Sequence, residues 1–83
     1  MKTIVLEYPV TVNGQEYSEL NMRRPKVRDQ KAASVKGKTD AEREISLFAN
    51  LCEVEPALIE ELDMTDYTAI QETYQDFLSR GQR

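Results

Sequence analysis

The residues with the most chemical capacity in this chain are carboxylates. Glu53, Glu55, Glu60, Glu61, Asp63 and Asp66 crowd one short stretch, and such a density is compatible in principle with hydrolytic or metal chemistry. Its spacing fits neither. A calcium loop needs a central glycine and alternating oxygen ligands, which this stretch lacks. General acid and base work needs a carboxyl whose pKa is raised in a cleft, and these positions fall on the surfaces of short helices. Helix capping and solubility account for most of these acids.

Cys52 is the single cysteine, and the chain has no histidine. An internal disulfide and a cysteine-rich zinc site are therefore excluded, and the commonest general base and metal ligand is missing. Acids follow Cys52 and raise rather than lower its pKa, so a buried, inert thiol is expected. No catalytic residue, cofactor or metal is expected, and the chain reads as a non-enzyme.

The second charged feature is basic. Positions 23–38 carry seven basic residues and one acid, beginning Arg23-Arg24-Pro25-Lys26-Val27-Arg28. A solvated connector is the plain reading. A small regulatory nucleic-acid-binding protein using Arg23, Arg24, Lys26 and Arg28 is the alternative function, weakened by the lack of aromatic rings for base stacking. A third reading pairs the segment with acidic helices, within the chain or between copies. Positions 1–39 hold eight basic and four acidic residues, and positions 40–83 hold three and eleven. The halves thus carry +4 and -8, a separation that favours docking of opposite charges and disfavours nucleic acid at the acidic half.

The elements that position these groups are legible from pattern. Eighty-three residues make one domain with a thin core, to which self-association or a partner can add burial. No apolar run approaches the ~20 residues of a membrane span, and the N-terminal apolar stretch is short for a signal peptide, so a cytoplasmic location is expected. Positions 1–22 read as a β-hairpin about Asn13-Gly14. A two-residue turn would split the apolar residues between faces. A three-residue loop, Val12-Asn13-Gly14, aligns Leu6 with Leu20 and Ile4 with Met22, gathering Ile4, Leu6, Tyr8, Val10, Leu20 and Met22 on one face. Tyr17 and Pro9 then face water.

Positions 23–38 form the basic connector, with about two helical turns at Val27 to Val35 and a mobile link at Gly37. Positions 39–80 form the helical part. Thr39 and Glu42 compose a capping box that opens a helix to about Cys52, with Ala41, Ile45, Phe48 and Cys52 in its stripe, widened by Leu47, Ala49 and Leu51. Pro56 starts a short helix to Leu62. Asp63 or Thr65 caps the last helix, which runs to about Arg80 with Gly81 as its stop. Met64, Tyr67, Ile70, Tyr74, Phe77 and Leu78 make its stripe, with Asp66 facing away. The fold class is α+β, a hairpin followed by a small bundle of about three helices. A helix-turn-helix reading of Ile45 to Leu62 is weak, because Pro56 to Leu62 offers glutamates and no base-reading donor.

The order of Leu20-Asn21-Met22-Arg23-Arg24-Pro25, Leu51-Cys52-Glu53-Val54-Glu55-Pro56 and Leu62-Asp63-Met64-Thr65-Asp66-Tyr67 resembles the small tail assembly chaperones of contractile-tailed, Mu-like phages and prophages. Cys52 stands where the resemblance implies a small residue, often glycine, at a tight turn. It implies a non-enzymatic chaperone that coats the tape measure protein, assists tail tube assembly, recruits the tail tube protein and remains outside the mature virion. Several such chaperones also occur in a frameshifted longer form. A partly exposed apolar stripe fits an amphipathic client helix. The expected partner-binding residues are Phe48, Leu51, Leu58, Tyr67, Ile70, Tyr74 and Phe77, in a chain expected to form homo-oligomers.

Overall fold

A computed structural model describes residues 1–79 as an antiparallel two-stranded hairpin laid against four helices, an α+β fold. Strands β1 (Lys2–Val12) and β2 (Gln15–Met22) are followed by α1 (Val27–Lys36), α2 (Asp40–Cys52), α3 (Pro56–Glu60) and α4 (Met64–Leu78). The expected end of the last helix at Arg80 and its stop at Gly81 lie outside the described residues; α4 closes at Leu78 with Ser79 as its cap.

The hairpin corrects the expected register. Asn13 (φ 53°) and Gly14 (φ 79°) are both left-handed, as a two-residue type I′ turn requires. Val12 accordingly faces Gln15 and Val10 faces Tyr17, while at the far end Ile4 pairs with Leu20 and Lys2 with Met22. The ladder shifts inside β1, where Leu6, Glu7, Tyr8 and Pro9 stand opposite Ser18 alone. Pro9 has no amide hydrogen to give a ladder, so a bulge around it is cheap. This mid-strand bulge accomplishes what a longer loop was expected to do: Ile4, Leu6, Leu20 and Met22 are all buried. Its cost falls on the tyrosines. Tyr8, expected in the core, is 57% exposed, whereas Tyr17 packs partly against the core instead of facing water.

Helix α2 runs through the centre. Phe48 and Leu51 meet Met22, Ile59 and Ile70 in a fully buried cluster, and each such side chain contributes about 1.5 to 3 kcal/mol of transfer free energy. Phe48 lies edge-on to Tyr67 and Tyr74 at centroid distances of 5.7 and 5.5 Å, a geometry in which positive ring edges meet negative faces. Ala41 lies outside this core, as do Ala57, Met64 and Leu78.

The capping signals take their expected places. Glu42 N–H donates to Thr39 Oγ1 at 3.1 Å, and the Glu42 carboxylate accepts from Thr39 N–H at 3.3 Å. Asp63 Oδ2 accepts from Thr65 N–H at 2.9 Å at the start of α4. The tight turn after α2 does not fall on Cys52, which is its last residue and buried. Glu53 takes the left-handed conformation (φ 57°) and its N–H closes the helix onto Ala49 and Asn50 carbonyls. Gly37 serves a close approach: a Cβ there would sit 2.7 Å from Arg43 N, and the Gly37 carbonyl accepts from Arg43 Nε.

Candidate functional site

Local sequence places the seven expected partner residues on α2, α3 and α4, and packing then divides them. Phe48, Leu51, Leu58, Ile70 and Phe77 are buried, between 0% and 8% exposed. Tyr67 and Tyr74 are half-buried at the edge of the same cluster. The Tyr67 hydroxyl donates to Glu44, which also accepts from Gln71 Nε2 at 3.1 Å. Burial and the Glu44 charge raise the Tyr67 pKa, so its hydroxyl stays a donor.

Two aspartates expected at the surface or in the connector are instead buried. Asp66 is 1% exposed and accepts the backbone N–H of Glu7 at 2.9 Å and of Tyr8 at 3.1 Å. It thereby satisfies the two amides that the β1 bulge withdraws from the ladder. This corrects the expectation that Asp66 faces away from the core. Asp29, also 1% exposed, accepts a two-pronged contact from Arg23 at 2.7 and 2.9 Å, Lys26 N–H at 2.8 Å and Asn50 Nδ2 at 2.7 Å. The Arg23 guanidinium holds the Asp29 carboxyl down at about 2. Arg24 lies 5.8 Å from the Phe77 ring centre. Two of the four arginines and lysines considered for nucleic acid are therefore engaged inside the chain.

With those contacts made, α1 rests on α2 through Asp29 and Ala33, its buried residues. Val27 and Val35, among the few apolar residues of this helix, are 86% and 80% exposed. Two grooves flank this narrow seat. On one side Ala32, Lys36, Ser46, Ala49, Val54 and Pro56 line a shallow apolar channel. On the other, Ala33, Ser34, Leu47, Phe48 and Tyr74 line a second one together with Gln30, Arg43 and Glu44. Leu47 and Ala33 are groove residues that the expected set omitted. Leu47 was visible as a widening of the α2 stripe, whereas Ala33 carries no signal in a helix of such low apolar content.

The remaining candidates are a buried thiol and exposed carboxylates. Burial pushes the Cys52 thiol up to about 11, which keeps it protonated at neutral pH. Glu53, Glu55, Glu60, Glu61 and Asp63 are exposed. Among the described residues, no group of three or more potential ligands is arranged to hold a metal ion, and no helix is long and apolar enough to cross a membrane.

The architecture is a hairpin closed over a helical core, with shallow apolar grooves on either side of a helix seated through Asp29 and Ala33. Residues 3–79 match the family described as phage tail assembly chaperone proteins, E, or 41 or 14, and the chain belongs to that family. No curated protein and no solved structure shows a significant match.

Proposed function

We propose that this tail assembly chaperone serves a contractile, Mu-like tail by holding a helical segment of the tape measure protein and recruiting the tail tube protein to it. The reading rests on the family together with one observation: the groove lined by Leu47, Phe48 and Tyr74 is apolar on its floor and open on its rim. An amphipathic helix laid there covers the half-buried Tyr74 and Leu47, while the exposed acids of 53–63 keep the complex dissolved. Of the seven residues expected at the interface, Tyr74 and Tyr67 then touch the client, and Phe48, Leu51, Leu58, Ile70 and Phe77 form the wall behind them. The function is carried by binding, in a cytoplasmic assembly step.

Co-expression capture of the tape measure protein tests this. Phe77 is core, so replacing it would unfold the chain. Ser34→Tyr, which fills the groove from an exposed position, and Leu47→Gln leave the core in place. Capture should fall roughly tenfold or more, the equivalent of at least ~1.4 kcal/mol, with the thermal midpoint of the isolated chaperone unchanged. Undiminished capture by a folded double variant refutes the groove.

A further inference from the structure

Helix α1 is built the wrong way round for a helix that serves only its own core. Its two valines point to solvent, and the residues it buries are an aspartate and an alanine. Lys31 stands two positions from each of Asp29 and Ala33, about 200° around the helix, on the side opposite the seat. Val27, Lys31 and Val35 line that outer side, with Arg28 beside them, and all are exposed. The result is an apolar strip bordered by cations.

The same chain carries the complementary surface. Glu55, Glu60, Glu61 and Asp63 are exposed around α3 and the start of α4, and Met64 beside them is 71% exposed. Among the described residues, none of these acids is ion-paired, and neither is Arg28 or Lys31. Because the outer side of α1 faces away from α2, its cations are directed outward, where a separate molecule can meet them.

We propose that the Val27–Lys31–Val35 face of α1 docks on the acidic Glu60–Met64 surface of a second copy of this chain. Val27 and Val35 cover Met64 and lose their own exposure, while Arg28 and Lys31 meet Glu60 and Glu61. Charge selects the pairing and the valines supply the apolar burial. The two surfaces differ, so each copy offers one donor and one acceptor face. The client groove meets α1 only through Gln30, Ala33 and Ser34, none of them in the proposed contact, so self-association is tested separately from client capture.

Light scattering of the purified chain tests the contact. At about 50 mM salt the mass should exceed the 9.6 kDa monomer, and at about 1 M salt, where screening acts within ~3 Å, it should fall toward it. Arg28→Gln, Lys31→Gln, Val35→Ser in one variant and Glu60→Gln, Glu61→Gln in another should each weaken association roughly tenfold or more. Both alter exposed side chains alone, so helical circular dichroism should match the original chain. Mixing the two variants should restore a heavier species, because one intact face remains on each. A monomeric mass at low salt overturns the proposal, as does association that survives either variant or a mixture that stays monomeric. Duplex DNA binding by the unaltered chain that is lost in the α1 variant while its mass is unchanged assigns the face to nucleic acid and also overturns it.

Discussion

Helices α1 and α4 both pack against α2, yet they are held by opposite means. Helix α4 buries Ile70 and Phe77 and adds one carboxylate, Asp66, aimed at the hairpin. Helix α1 buries no side chain larger than alanine apart from Asp29, and that aspartate organises Arg23, Lys26 and Asn50 around it. Apolar burial adds free energy with every methylene and is indifferent to pH. A hydrogen-bonded carboxylate adds little net energy when complete but is costly to break. Helix α4 is therefore part of the global fold, and α1 is a separately releasable element.

The sharpest way to break this contrast is to remove an apolar anchor. Ile70→Ala should cost about 3 kcal/mol and lower the denaturation midpoint of every probe together. A variant that loosens α4 alone would refute its place in the cooperative core. Asp29→Ala should cost about 2 kcal/mol by orphaning its donors, and hydrogen exchange should quicken chiefly in Val27–Lys36 with the α2 and α4 amides still protected.

Acid acts on the same element. The Asp29 carboxyl titrates near 2 in the folded chain against 3.8 when unfolded. Its contribution is complete above about pH 5 and is lost as pH falls through that interval, because protonation cancels the attraction for Arg23. The protection of α1 amides, relative to intrinsic exchange at each pH, should fall between pH 4 and 2 in the original chain and lose this pH step in Asp29→Asn. The smallest effect tests the joint between the two regions. Glu53 is left-handed and its 3.8 Å contact with Arg23 is exposed, so Glu53→Gly should stabilise by about 0.5 to 1 kcal/mol, raising the melting temperature by a few degrees.

Local signals were the legible ones. Asn13-Gly14, the Thr39 and Glu42 box, Pro56 and Asp63 each act within a few residues, and each formed the turn, start or cap that its chemistry dictates. The hairpin register was not legible because its bulge is bound to Asp66, 59 positions from Glu7. Period alone treats Asp66 as a solvent residue, since no local pattern says that two distant amides lack partners. The outward valines of α1 escaped for the same reason: Asp29 turns that helix through Arg23 and Asn50, and its apolar residues follow. Phe48 was recognisable in the stripe of α2, and Ile70 and Phe77 in that of α4, but a stripe does not say which of its members the neighbouring elements will cover.

The Asp66 clamp also sets an order of events. Hairpin and helices form from neighbours in sequence, whereas seating β1 against α4 closes nearly the whole length of the chain at once. During synthesis the inner face of the hairpin, with Ile4, Leu6, Leu20 and Met22, is finished early; α2 reaches the β2 side first, and the β1 side has no wall until α4 emerges from the ribosome. The module thus passes through a stage in which its own strand surface is the exposed apolar segment, and completion of the last helix ends it.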